Sequence, residues 1–136
     1  MAVSVEIKGL QELQREQERI IRELAGAPIL EAMRDSTLTV QRYARQNSPW
    51  DTGRLRASIL PEVQSEGKVI MGIVGSNVEY APYQEFGTGA YAMYPTAKSA
   101  RMSGGIQPRL YLTNALKTAE PAIIKRFERA VTEVIR

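Results

Sequence analysis

The chain has 136 residues, 43% of them hydrophobic and 24% charged, and its 18 basic and 15 acidic groups leave a net charge of +3. That is the length of one domain, 1–136, able to bury a core but too short for two, and no apolar run approaches the roughly 20 residues that cross a bilayer. Cysteine and histidine are both missing, which removes disulfides, thiolate metal sites, thiol nucleophiles and the commonest general base together. An enzyme is therefore not expected, nor is a metal, a cofactor or a membrane partner.

The first residues, Met1-Ala2-Val3-Ser4-Val5-Glu6, place no basic segment before an apolar stretch, so no secretory signal is expected and synthesis in a cytoplasm is. Val3, Val5 and Ile7 alternate with Ser4, Glu6 and Lys8, a period of two that predicts a short edge or partner-facing strand ending at Gly9. From Leu10 the period changes. Leu10, Leu13, Gln17, Ile20, Ile21 and Leu24 recur at three and four residues among charged neighbours, predicting an amphipathic helix to about Gly26. Pro28 suits the first turn of a second helix, where its missing N–H has no partner to lose. Leu30, Met33, Thr37, Val40 and Ala44 stripe that helix to about Asn47, and Pro49 stops it. Arg34, Arg42 and Arg45 are expected to face solvent.

Asp51-Thr52-Gly53 has turn chemistry, a short side-chain acceptor followed by a residue that tolerates positive φ. Two antiparallel strands are expected after it. The first runs from about Leu55 to Gln64, with Leu55, Ala57, Ile59 and Pro61 on one face; the second runs from Val69 to Gly75; Ser65-Glu66-Gly67-Lys68 is the turn between them. The second strand is almost continuously apolar, which predicts burial over most of its length. Tyr80 to Phe86 reads as a short helix opened by Pro82 and capped by a left-handed Gly87. Thr88 to Pro108 is rich in Gly, Ser, Ala, Tyr and Pro, carries Lys98 and Arg101 and has no acidic residue; a segment of this kind is a long flexible loop that orders against a partner. Leu112, Ala115, Leu116, Ala119, Ile123, Phe127, Ala130, Val131 and Val134 then fall at helical spacing, with Pro121 predicting a kink or two abutting helices. The expected fold is α+β: a small antiparallel β-sheet packed against two or three long helices, with the loop at about 88–108.

The charge is uneven: residues 90–136 carry eight basic and three acidic groups, which suits a nucleic-acid-binding module built on the basic C-terminal third, or a solvated helix face. Glu79, Glu85 and Asp51 could share a cation, but no loop template accompanies them. Salt bridges to Arg54 or Arg56 are the plainer reading, and a carboxylate-dependent hydrolase would have to rest on Glu79 or Glu85. Gly87-Thr88-Gly89 lacks the spaced glycines and Lys-Ser/Thr of a phosphate loop and reads as a cap and turn. Tyr80, Tyr83, Phe86, Tyr91 and Tyr94 crowd five aromatic residues into fifteen positions. Tyr80 and Phe86 are expected in the core. Tyr91, Met93 and Tyr94 are expected as apolar interface anchors, with Lys98 and Arg101 as charged contacts.

These segments together resemble a known family. The order Ser48-Pro49-x-Asp51-Thr52-Gly53-x-Leu55-x-x-Ser58-Ile59, a hairpin, Val78-Glu79-Tyr80-Ala81-x-Tyr83-x-Glu85-Phe86-Gly87-Thr88-Gly89, then Pro108-x-Leu110-x-Leu112-x-x-Ala115-Leu116 is similar to the HK97 gp10-like tail components of tailed bacteriophages. Ile7-Lys8-Gly9-Leu10-x-x-Leu13 fits the opening of the same pattern. Trp50 between Pro49 and Asp51, and the length of the segment from Ala90 to Gln107, depart from it. The resemblance implies a non-enzymatic virion protein, made in the bacterial cytoplasm, that works at the head–tail junction as a neck or tail-completion component. It implies a homo-oligomeric ring that meets other neck proteins and a tail terminator or tail tube and contacts channel DNA without sequence preference. In that setting Asp51, Thr52, Gly53, Glu85, Phe86, Gly87, Thr88 and Gly89 are expected to be turn-forming, structural residues.

Overall fold

A computed structural model describes residues 9–24, 26–49, 53–66, 69–96 and 101–135. In chain order the elements are α1 (Leu10–Leu24), α2 (Ala27–Asn47), α3 (Arg54–Ser58), β1 (Leu60–Glu66), β2 (Val69–Gly75), α4 (Ala81–Phe86), a single 3₁₀ turn at Gly89–Tyr91, and α5 (Tyr111–Ile135). The fold is α+β, mostly helical, and among the described residues it has three long helices and one two-stranded antiparallel sheet. The strand expected at Val3 to Lys8, the Asp51-Thr52 part of the turn, the Gly67-Lys68 tip and Lys98 lie outside the described residues.

The frame is α2 against α5. Both bury a stripe at four-residue spacing, Val40 and Ala44 on one helix and Tyr111, Ala115 and Ala119 on the other, because residues four apart share a helix face. Ala44, Ala115 and Ala119 are wholly buried; small side chains along the seam let the two backbones approach closely. Leu55, Ile59, Val78 and Ala81 complete the core. Tyr111 and Ile59 are its largest fully enclosed side chains, each contributing on the order of 1.5–3 kcal/mol through burial.

Helix α5 runs as one element through an exposed Pro121, not as two abutting helices. The expected strand from Leu55 also begins differently: Arg54–Ser58 is helical, and the strand starts at Leu60. Leu55 and Ile59 are both buried and Ala57 is exposed. A four-residue spacing satisfies a helical period and a strand period alike, so only Ala57 separates the two. Gly53, at φ 70°, opens this short helix in the left-handed region. Arg45 is not simply solvent-facing. Its Nη2 donates to the Ile59 carbonyl at 3.2 Å, beside Gln41 Nε2 at 2.8 Å, which ties α2 to the start of β1.

The hairpin lies across α2, and its register pairs Leu60 with Gly75, Glu62 with Ile73, Gln64 with Met71 and Glu66 with Val69. Residues opposite one another share a face, and Gly72 shows which face is inward. A Cβ there would sit 2.6 Å from both Met33 Sδ and Thr37 Cγ2 of α2. Ile70 and Val74 therefore look towards α2, while Val69, Met71 and Ile73 look away and are 60%, 50% and 38% exposed. The expected burial of this strand is thus corrected: one of its two apolar faces is open.

Replacing Gly72 by Val should destabilise the protein by about 1–3 kcal/mol, because the added atoms force α2 and β2 apart. Gly75→Ala, which meets nothing within 4 Å, should change stability by less than about 0.5 kcal/mol. Urea denaturation of the two variants checks the contrast.

Candidate assembly site

The segment after β2 is built around Glu85. It sits on α4, a helix of six residues opened by Pro82 and ended by Gly87 at φ 76°, and it is 97% enclosed by the protein, at 3% exposure. Its carboxylate reaches the first turn of α5. Oε2 accepts the Leu112 N–H at 2.9 Å, while Oε1 accepts the Thr113 N–H at 2.9 Å and the Thr113 hydroxyl at 2.6 Å. Those amides are among the four that every helix leaves unpaired at its start, and a negative charge there also opposes the positive end of the helix dipole. The backbone joins in: Arg109 N–H donates to the Gln84 carbonyl at 2.9 Å and Leu110 N–H to the Glu85 carbonyl at 3.2 Å. Leu110 adopts φ 51°, the one non-glycine residue at positive φ among those described, and this clip holds it there.

Glu85 is therefore not a partner for Arg54 or Arg56, since its carboxylate is engaged by the first turn of α5; Asp51, the third carboxylate of the candidate cation site, lies outside the described residues. Among the described residues no three metal-ligating side chains cluster. Glu79 is exposed, and Arg54 lies over the Tyr80 ring with its Cζ 5.9 Å from the centroid. Tyr111, just ahead of the capped amides, donates its hydroxyl to the Ala81 carbonyl at 3.3 Å. Burial, with the Glu85 and Tyr80 charges adding to it, pushes the Tyr111 phenol up from 10.0 to about 12.

Gly87-Thr88-Gly89 carries the clip into the loop. Thr88 N–H donates to the Ile106 carbonyl at 2.8 Å, the Ile106 N–H donates to Thr88 Oγ1 at 3.0 Å, and Ala90 N–H donates to the Gly104 carbonyl at 2.9 Å. A Cβ on Gly87 would meet Ile106 O at 2.7 Å and Pro108 Cδ at 2.9 Å, and one on Gly89 would run into the Gly104 carbonyl. The stems of the 88–108 loop are thus tied to each other by hydrogen bonds.

Beyond the stems the loop turns outward. Tyr91, Met93 and Tyr94 are 46%, 46% and 73% exposed, and Arg101 and Met102 are exposed too. Phe86, expected in the core, is 38% exposed and instead supports the loop: its ring meets that of Tyr94 edge to face at 5.4 Å, and its carbonyl accepts the Met93 N–H at 2.9 Å. Tyr80 does pack, partly buried, against the core. Tyr91, Met93, Tyr94 and Arg101 are thus all exposed, and Met93 and Tyr94 are both held by Phe86.

A groove of about 700 Å³ runs between α2, β2, α4 and α5, lined by Met33, Val40, Phe86, Leu116 and Phe127 among others. Glu85 is the one charged residue lining it, and its carboxylate is committed to α5. The groove offers apolar contact with no nucleophile beside a base. Sequence reasoning missed both the role of Glu85 and the open face of β2. The first had a signal: Leu110 stands where a Ser, Thr, Asp or Asn would cap α5, so the acceptor had to come from elsewhere in the chain.

A family model, HK97-gp10_like, described as "Bacteriophage HK97-gp10, putative tail-component", matches residues 7–87, more than half of the chain. No curated protein and no solved structure matches it.

Glu85→Ala should lower stability by about 1–3 kcal/mol by leaving buried amides unpaired, and Glu85→Gln, which keeps one acceptor, should cost less; urea denaturation measures both. Alkali should act through Tyr111. The unfolded chain gives up this proton near pH 10 and the folded protein holds it to about 12, so stability contributed by the neutral phenol is intact below pH 10 and falls as pH rises from 10 to 12. Denaturation midpoints across that window should drop more steeply for the native protein than for Tyr111→Phe.

Proposed function

Since the chain belongs to the HK97-gp10-like family of bacteriophage tail components, we propose that it is a structural virion protein of the head–tail junction, a neck or tail-completion subunit that assembles into a ring. The observation that carries the assembly reading is the amount of apolar side chain left outside so small a core. Tyr91, Met93 and Tyr94 stand out on the loop, and Leu60, Val69 and Met71 on the hairpin, all at 46% exposure or more. Large apolar side chains left exposed in this number mark contacts with another protein. Heterologous contacts between identical subunits close into a ring when the rotation allows it. Neighbouring neck proteins and a tail tube or terminator are the partners this placement supplies, and basic side chains turned to a channel would hold DNA through its phosphates alone.

The nucleic-acid module is the weaker reading, and the last helix supplies the reason. The exposed charges of α5 balance, Lys117, Lys125 and Arg129 against Glu120, Glu128 and Glu133, so no continuous basic stripe forms along it.

Particles assembled with Tyr91→Ser, Met93→Ser and Tyr94→Ser combined should accumulate as unjoined heads and tails, or as tails left unfinished, in electron micrographs. Urea denaturation should show the same protein still folded, with a loss of stability on the order of 0.5–1.5 kcal/mol from the Phe86–Tyr94 ring contact. Normal, joined particles would reject the assembly role of the loop.

A further inference from the structure

We infer that the outer face of the β1–β2 hairpin is the docking surface for the 88–108 loop of a second copy of this chain, so that each subunit offers one loop and receives another. This deepens the ring reading and rests on it.

The two surfaces match in apolar content and in charge. Because Gly72 fixes the inward face, the outer face is defined residue by residue: Leu60, Val69, Met71 and Ile73 form its apolar part. Glu62, Gln64 and Glu66 stand beside them, each directly across the ladder from one of the three β2 residues. Glu62 is held in place there, its Oε1 accepting Gln64 Nε2 at 2.8 Å. The face is therefore an apolar row of Val69, Met71 and Ile73 along β2, beside Leu60 and the acidic pair Glu62 and Glu66 along β1; Lys68, at the hairpin tip, lies outside the described residues.

The loop has the opposite composition. From Thr88 to Ala119 the chain contains no acidic residue, while Arg101 and Arg109 are exposed together with Tyr91, Met93, Tyr94 and Met102. Apolar side chains interleaved with cations face apolar side chains flanked by anions, and complementarity of that kind sets orientation and partner choice. The loop also meets the entropic condition for docking. Its stems are already fixed by the Thr88–Ile106 and Ala90–Gly104 hydrogen bonds, so fewer residues have to be ordered on contact. A two-stranded ribbon, for its part, is marginal by itself and gains from being covered. Surface and loop are different patches on one subunit, so a head-to-tail contact between them leaves one of each free and propagates from copy to copy.

Charge reversal tests this with the full chain. Glu62→Arg/Glu66→Arg makes face and loop both basic; Arg101→Glu/Arg109→Glu makes both acidic. Sedimentation velocity should show the native protein self-associating, more weakly as salt rises. Each reversed variant alone should associate at least about tenfold more weakly, and an equimolar mixture of the two should associate again, since every contact then joins opposite charges. Circular dichroism confirms that both variants are folded. If the native protein associates and the reversed variants do so equally well, or their mixture does not recover, the ring reading stands and this interface is wrong. If the native protein stays monomeric at every concentration, the ring reading fails and takes the interface with it. If Arg101→Glu/Arg109→Glu loses binding to duplex DNA and keeps full self-association, the loop faces nucleic acid and the inference is overturned.

Discussion

A helix of 25 residues starts with amides that some acceptor must satisfy, and next to α5 there is none, since Leu110 occupies the capping position. The acceptor is Glu85, 27 residues earlier. Much else hangs on that bond. It sets the first turn of α5, and with it the direction from which Tyr111, Ala115 and Ala119 enter the core. It also brings Gln84 and Glu85 beside Arg109 and Leu110, closing the base of the loop that lies between them. The carboxylate is engaged by two amides and a hydroxyl inside the protein, so its chemistry is structural. A group so placed is available neither as a general base nor as a ligand.

The second constraint is the close approach of β2 to α2 at Gly72. A side chain there would collide with Met33 and Thr37, so the hairpin is set at one height on the helix and one of its faces is chosen as inward. The choice has an unavoidable complement. Successive strand residues point to opposite sides, so seating Ile70 and Val74 on α2 turns Val69, Met71 and Ile73 away from the molecule. The protein is well packed along α2 and α5 and leaves apolar side chains exposed on the hairpin and loop.

Elements governed by local periodicity were legible in the sequence. Both long N-terminal helices, the second strand and the Pro82-to-Gly87 helix fall close to where spacing, proline and glycine put them. What escaped was decided at a distance. Leu55 and Ile59 fit a strand and a helix equally, and the tie is broken by packing on α2 and by Arg45 and Gln41 reaching the Ile59 carbonyl. The apolar run of β2 looked like a strand buried on both sides because composition records that a face is apolar and not whether the same chain covers it. Phe86 was assigned to the core on hydrophobicity alone, whereas its ring braces Tyr94. Of the motif after β2, glycines and turn were readable from local chemistry; Glu85 was not, because its partners lie in the last helix.

The arrangement also fixes when the protein can become itself during synthesis. The seam of the core joins residues 27–47 to residues 111–135, and α4 holds its place through groups that belong to α5. Until α5 is made, Ala81 and Val78 have no Tyr111, Ala115 or Ala119 to pack against. Contacts so far apart along a chain form late, and a chain broken off before Tyr111 has neither the closed base of the loop nor the compact body that presents it. The closed base of the loop and the enclosed core therefore both wait for the final helix.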